Sequence, residues 1–443
     1  MCSNKTSEIS GLFFQYVSRS VLSMLGLSLY ILADTFFISL ALGPDGLTAL
    51  NLAIPVYSLI SGCGIMAGMG GSTRFAMAKG AGKTGEGSRL FGQTLLLVLL
   101  LALPLVMTGL LFSRPLSLLL GADEVTLGNT GIYLKTLLLF SPAFLLNQAL
   151  LFFVRADGGP GLAMAASLTG SFSNILLDWV FLFPLRLGMF GAVLATCMAP
   201  LLSTAVCSSW FRQGKASFRP GLPRGPLSSL GGLCALGGGG LITELSSGVV
   251  IVLFNLIFLR LGGNNAVAAY GIVANLALVA SSVFTGISQG VQPLFGRQYG
   301  AGDTAASRKT LRLGIAVSLG LSAIMWIVML LWGIPLAGLF NQEGSATLTL
   351  QAAKGLRIYF FGFFSAGCGI LLGTFFSSAG HPGAAMTVSL LRGGMLTVPL
   401  ALLASLLGET AVWLSIPVAE ALTALTALIL ACRLYAAGSA DIP

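Results

Sequence analysis

The sequence predicts an all-α polytopic membrane protein, with twelve spanning helices in two pseudo-symmetric six-helix bundles. Three observations carry this expectation. The 443-residue chain is 56% hydrophobic and only 8% charged, whereas a soluble protein carries roughly a quarter charged residues. Its mean hydropathy is +0.93, and uncharged apolar runs such as 91–113 recur along its whole length. Runs of that length are spanning helices, because barrel strands are roughly ten residues long and alternating. Finally, short motifs in the first half return in order about 220 residues later.

In chain order the predicted spans are 12–42, 47–78, 90–113, 126–153, 160–184, 188–211, 230–260, 265–296, 308–332, 347–378, 383–407 and 410–433. The opening MCSNKTSEIS is polar and lacks the apolar core and cleavage site of a signal peptide. The first span carries YILADTFFISLAL, in which Asp34 is the one charged residue. The second contains SGCGIMAGMGG at 61–71, small residues suited to close helix contact. GAGKTGEGS at 80–88 looks like a phosphate loop, but position 77 is Met where the pattern needs Gly, and no strand precedes it. It reads as a tight turn, which leaves ATP hydrolysis unsupported. The third span is Leu-dominated and uncharged, and the fourth ends at RADGGP. The fifth carries Asn174 and Asp178, and the sixth carries Thr196. RQGKASFRPGLPRGPLSS at 212–229 is the only substantial hydrophilic linker, and it divides the chain into lobes 1–211 and 230–443. The seventh span holds Glu244. The eighth holds Gln289, Gln292 and Pro293, with no charge between Arg260 and Arg297. The ninth to eleventh spans contain no acidic residue, and the twelfth contains Glu420. Spans longer than the ~20 residues needed to cross tilt, bend or project into water. Pro55, Pro104, Pro142, Pro293, Pro335 and Pro399 fall in or near spans and predict kinks.

The basic residues set the orientation. Odd-to-even connections hold Arg114, Arg186 and Arg260. The termini and remaining connections hold Lys5, Lys79, Lys83, Arg89, Arg155, Arg212, Lys215, Arg219, Arg224, Arg297, Arg308, Lys309, Arg312 and Arg433. The positive-inside rule then places both termini and the 212–229 linker in the cytoplasm of a cell (inner) membrane protein. The net charge of +9 is therefore a topology signal, not a footprint for nucleic acid.

The repeat is specific. GAGKT at 80–84 returns as GAGDT at 300–304, LGPDGLTAL at 42–50 as LGGNNAVAAY at 261–270, ADGGP at 156–160 as SAGHP at 378–382, and LGMFGAVLA at 187–195 as LGETAVWLS at 407–415. Six spans per half is an even number, so the halves are parallel repeats about an axis along the membrane normal. Such repeats build alternating-access transporters.

Four of the 14 acidic residues lie well within spans: Asp34, Asp178, Glu244 and Glu420. Each costs roughly 2.5–3.5 kcal/mol at a helix centre unless neutral, paired, ion-bound or facing water. Counting from the outer loops at 1.5 Å per residue puts Asp34, Asp178 and Thr196 about 12 Å below the outer surface. Asn174 precedes Asp178 by four residues and shares its helix face. Two carboxylates, an amide and a hydroxyl can thus meet at one level, where no Lys or Arg is expected. Two close carboxylates cannot both stay ionised without a cation. The group suits either a shared proton or a hard monovalent cation such as Na⁺. Glu244 reads as a substrate or second-ion residue, and Glu420 as a structural hydrogen-bonding or water-facing acid. Gln289 and Gln292 read equally as cavity-lining or interhelical residues. A single histidine, His381, and seven scattered cysteines argue against a His-based metal site, a disulfide framework and a membrane-embedded enzyme.

Several stretches together resemble the MATE (multidrug and toxic compound extrusion) family, in particular its bacterial branch related to MepA and DinF. They are ADTFFI at 33–38, RADGGPGLAM at 155–164, NILLDWVF at 174–181, ITELSSG at 242–248, AVAAYGIVAN at 266–275, GISQGVQPLFGRQYGAG at 286–302 and SAGHP at 378–382. The resemblance implies two six-helix lobes that open alternately. It implies secondary active efflux of cationic, amphipathic compounds by antiport with H⁺ or Na⁺, by a monomer with no other cofactor. It also carries the family's ion-coupling set onto Asp34, Asn174, Asp178 and Thr196, with Na⁺ or H⁺ as the ion, and its helix 7 acid onto Glu244. A lipid-linked or endogenous metabolite is the alternative cargo on the same scaffold. Two departures stand out. Some members pair the helix 7 acid with one in helix 10, and 347–378 contains none; some bend helix 1 at a proline, and none precedes Pro44, so any bend must use a weaker point such as Gly26.

Overall fold

A computed structural model describes residues 2–219, 228–340 and 345–436. No strand occurs among the described residues. The helices are α1 (Cys2–Gly80), α2 (Gly87–Leu111), α3 (Ser113–Leu119), α4 (Leu127–Leu139), α5 (Ser141–Asp157), α6 (Pro160–Leu182), α7 (Gly188–Arg212), α8 (Ser228–Gly300), α9 (Thr304–Phe340), α10 (Ala346–Phe361), α11 (Phe363–Ser378), α12 (Pro382–Leu390), α13 (Thr397–Ser405) and α14 (Glu409–Ala436). A π-helical segment, Leu391–Met395, joins α12 to α13.

Two of these helices are too long for one crossing, and each breaks at a glycine. α1 turns at Gly43 (φ 64°, ψ −157°) and α8 at Gly263 (φ 64°, ψ −155°). Only glycine adopts this backbone cheaply. α4 with α5 and α10 with α11 are single spans bent by 48° and 41°. With both long helices divided at their glycines, the described residues make twelve crossings. Their limits follow the predicted spans closely, and the largest extension is at the first, which starts at Cys2.

The repeat is written in the backbone as well as in the letters. Left-handed glycines recur in pairs 220 or 222 residues apart: Gly43 and Gly263, Gly82 and Gly302, Gly158 and Gly380, Gly188 and Gly408. Each lies at the junction between one helix and the next. Pro160 and Pro382 then sit at the first helical position in both halves, where a missing N–H costs nothing. GAGKTGEGS forms the turn that ends α1 and leads into a short 3₁₀ turn at Thr84–Glu86.

Contacts divide the chain into two compact units, Ser18–Glu244 and Leu245–Pro443 with Met1–Val17. The lobes 1–211 and 230–443 describe the repeat along the chain. Spatially, the first turns of α1 group with the second half, and those of α8 group with the first. Residues 220–227 of the expected linker lie outside the described residues.

In the unit of Ser18–Glu244, the glycines of 61–71 are points of close approach. A Cβ at Gly68 would meet Gln148 O and the Phe152 ring at 3.1 and 2.9 Å. One at Gly70 would overlap Leu233 O, and one at Gly237 would overlap Met66 O, so α1 and α8 approach through reciprocal glycines. Gly26 has the same role. Its backbone is helical, since Gly43 alone departs within α1. Its missing Cβ admits Leu168 Cδ2 at 2.5 Å. The expected bend point at Gly26 is thus a packing position.

Candidate functional site

The first arm of α1 carries Tyr30 and Asp34 four residues apart, on one face. α6 carries Asn174 and Asp178 at the same spacing. α7 supplies Thr196, α4 supplies Tyr133, and the arm of α1 beyond Gly43 supplies Tyr57. Asp34 is 7% exposed, Thr196 4%, and Asn174 and Asp178 are fully enclosed.

The carboxyl groups of Asp34 and Asp178 lie within interacting range of each other. The Tyr133 phenol faces Asp34, Asp178 and Thr196. Tyr30 and Tyr57 share a hydrogen bond of 2.7 Å between their hydroxyls, and both phenols neighbour Asp34. The Thr196 hydroxyl donates to Ala192 O at 3.2 Å and lies within hydrogen-bonding range of the Tyr133 phenol. By strict hydrogen-bond geometry, Asp34 Oδ1, both Asp178 oxygens and both amide atoms of Asn174 have no partner. Buried polar groups are nearly always satisfied, and the two carboxyls can satisfy each other only by sharing a proton. Four of these five atoms are oxygens, the donor set of a hard cation or of a shared proton.

The sequence places these four residues at one level, and the structure brings them together. The expectation that no basic residue reaches this depth needs correction. Lys135 lies eight residues into α4, at the level of the cluster, but its side chain is exposed while nearby Tyr133 is buried. An α-helix turns about 100° per residue, so Tyr133 and Lys135 point to nearly opposite sides. Tyr30 was legible as the residue four before Asp34. Tyr57 and Tyr133 carry no such signal, because only tertiary packing brings them in.

Glu244, on α8, lies beside Tyr57; its Cβ is 3.2 Å from the position a Cβ would take at Gly62. Through Tyr57 and Tyr30, polar groups run from Glu244 to the carboxyl pair. Gln292 is buried and Gln289 half-buried on α8 in the other unit. Glu420 accepts from Arg392 Nε at 3.0 Å through Oε1 and 3.3 Å through Oε2, in keeping with its reading as a hydrogen-bonded acid.

Comparison with known proteins decides the family. The family model described as MatE matches twice, over residues 20–180 and 241–403. The chain belongs to the MatE family. The two matched segments coincide with the two halves of the repeat. "Multidrug export protein MepA" of Staphylococcus saprophyticus is 24% identical over 428 residues, covering 96% of this chain and 94% of the relative. The protein of the same name from Staphylococcus aureus (strain N315) is 25% identical over 429 residues, with the same coverage. Among solved structures, a MATE protein in complex with MaL6 superposes with a TM-score of 0.91 at 21% identity, covering 96% of both chains. A point mutant of the Vibrio cholerae MATE transporter VcmN gives 0.89 at 23% identity over 98% of both chains. As a MatE protein, the chain is a multi-pass membrane transporter, and multidrug export is the activity its relatives' names carry.

Proposed function

We propose that this MatE protein is an ion-coupled exporter of cationic, amphipathic compounds, driven by H⁺ or Na⁺ moving inward. The carrying observation is the enclosed pair Asp34 and Asp178, close enough to interact and with buried oxygens that have no donor among the described residues. Asn174 and Thr196 complete the ion site. Glu244, with Gln289 and Gln292, contributes to substrate binding. The multidrug export relatives supply the cargo class. With both termini cytoplasmic in the inner membrane, the ion enters the outward-facing pair, favours release of cargo, and leaves on the inner side. One charge moving down about 100 mV supplies roughly 2.3 kcal/mol, a concentration ratio of about 50. The protein works as a monomer, since each chain holds a whole site.

The test is efflux of a cationic dye from liposomes containing the purified protein, under an imposed Na⁺ gradient or an imposed pH gradient. One gradient drives efflux, and Asp34→Asn and Asp178→Asn each abolish it while folded protein remains in the membrane. Full gradient-driven efflux in both variants would remove the carboxylates from the mechanism.

A further inference from the structure

The unit of Leu245–Pro443 contains an ion pair that the coupling site does not use. Arg392 lies in the π-helical segment Leu391–Met395, and Glu420 lies on α14. Both hydrogen bonds from Arg392 to Glu420 run through Nε, at 3.0 and 3.3 Å. The Nη edge of the guanidinium fork, with four N–H groups, makes neither of them. Tyr359 of α10 lies against both charges, and its ring leads into Phe363, 6.1 Å away, which stacks on Phe284 at 5.3 Å.

Depth makes this pair unusual. Arg392 is ten residues from the start of α12 and Glu420 eleven from the start of α14, so each sits about 15 Å from its own helix start, at opposite ends of consecutive spans, and both lie near mid-membrane. Their side chains nevertheless remain 20% and 15% exposed. Charges exposed to hydrocarbon there would cost roughly 2.5–3.5 kcal/mol each. The part of the pair that remains exposed must therefore face water or a ligand. The π-helical turn also fits a working site. Leu396 N reaches Leu391 O at 3.2 Å, the five-residue spacing that widens a helix and is frequent at functional positions. Nor is the pair inherited from the repeat. At the repeat offsets its counterparts are Gly170 and Pro200.

We propose that Arg392 and Glu420 form a subsite for zwitterionic amphipaths, in which Arg392 takes the carboxylate of the ligand and Glu420 its cationic centre, with Tyr359 against the aromatic body. This rests on the export reading above and names a substrate class for it. A plain cation approaching Glu420 meets the repulsion of Arg392, and a plain anion meets that of Glu420. A dipolar ligand exchanges one ion pair for two, and the Nη edge offers the paired donors that a carboxylate prefers.

The experiment uses the purified full chain in nanodiscs, with no ion gradient, and reads fluorescence anisotropy of two dyes. Rhodamine B carries a carboxylate and a delocalised cation; its ethyl ester has the same body and the cation alone. Arg392→Gln should weaken rhodamine B binding about tenfold or more while ester binding is unchanged or tighter, with partial recovery of rhodamine B binding in Arg392→Lys. The double variant Arg392→Gln/Glu420→Gln leaves no unpaired charge and guards against misfolding. It should lose the discrimination between the dyes while still binding the ester. If the double variant binds both dyes as the parent does, or weakens both by one factor, the pair is purely structural and the proposal falls. Equilibrium binding needs no gradient, so this outcome is independent of whether Asp34 and Asp178 couple efflux to an ion.

Discussion

The two halves share one backbone plan and fill its centre with opposite chemistry. Asp34 lies nine residues before Gly43, and nine residues before Gly263 the second half has Phe254. Thr196 lies eight after Gly188, and eight after Gly408 stands Ile416. Tyr133 is seven before the bend at Phe140, and seven before the bend at Gly362 is Gly355. Into the space left by Gly355 the second half sends Trp413, whose ring carbons lie 2.8–3.0 Å from where a Cβ would be. Its N-half counterpart is Val193. The first half thus surrounds two carboxyls with phenols. The second packs Phe254, Phe258, Tyr270 and Trp413 into one buried ring cluster, with Phe258 and Trp413 centroids 4.4 Å apart. The lesson is a division of labour at these matched positions: one copy of the fold holds buried carboxyls there, and the other packs rings.

That division is broken most severely by moving the charge. Phe254→Asp would place a carboxylate among rings, with Phe258 and Tyr270 at 6.2 and 5.5 Å. An uncompensated buried charge costs about 3–5 kcal/mol, and Trp413→Ala should cost a similar amount through its cavity. Asp34→Asn, by contrast, removes a charge and should shift stability by less than about 1 kcal/mol. Thermal unfolding midpoints in detergent compare the three directly. Equal midpoints for Phe254→Asp and Asp34→Asn would show that the two halves are not specialised in this way.

The comparison also shows what the letters could carry. Spans and repeat were legible because hydropathy and glycine placement act locally. Depth counting brought Asp34, Asn174, Asp178 and Thr196 to one level because helical rise is constant. Pairings across helices were not legible. Nothing in the sequence marks Phe140 as a bend beyond the nearby Pro142, nor makes Gly355 the seat of Trp413. Arg392 as the partner of Glu420 depends on how α14 packs against the π-helical turn. The tyrosines Tyr57 and Tyr133 looked like ordinary interfacial or core aromatics until packing aimed them at Asp34.

A second asymmetry, at the opposite end of the first half, predicts an intermediate effect. Asp157 receives Lys79 Nζ at 2.5 Å, Trp210 Nε1 at 2.9 Å, Ser217 N at 2.8 Å and the Ser217 hydroxyl. Next to Ser217, Phe218 is fully enclosed, its ring 4.8–5.5 Å from those of Phe75, Phe91, Phe153 and Phe211. Together they clamp the start of the linker onto the first half. The counterpart of Asp157 is Ala379, so the second half lacks the carboxylate on which this clamp is built. Asp157→Asn keeps the shape but turns one acceptor into a donor facing donors. Hydrogen bonds to a charged group contribute about 1.5–3 kcal/mol, so local opening should rise roughly tenfold or more. Limited trypsin digestion reads this as faster cleavage after Lys215, with cleavage at other sites unchanged. An unchanged rate at Lys215 would mean that Phe218 alone holds the linker.

The smallest expected effect separates the halves by pH. Each half opens its bent span with a side-chain oxygen accepting from the backbone N–H three residues on, and the two caps are 222 residues apart. In the first half Asp123 Oδ1 accepts from Thr126 N at 2.8 Å and from the Thr126 hydroxyl at 2.7 Å. In the second, Ser345 Oγ accepts from Leu348 N at 3.4 Å. The Thr126 hydroxyl, followed by its backbone N–H, holds the exposed Asp123 carboxyl below its ordinary range. A depressed folded-state value means the carboxylate stabilises the fold above the unfolded value, near pH 4. That contribution is lost as pH falls through the lower, folded value. Asp123→Ala should therefore lower the unfolding midpoint slightly at neutral pH, and the deficit should shrink progressively below about pH 4. Ser345→Ala removes a hydroxyl cap worth about 1 kcal/mol or less at this length, and its deficit should be flat with pH because the hydroxyl does not titrate. Midpoint differences measured from neutral pH down to about pH 3 distinguish the two. A pH-independent deficit for Asp123→Ala would mean that the turn is held by its backbone, with the carboxylate contributing no charge-dependent stability.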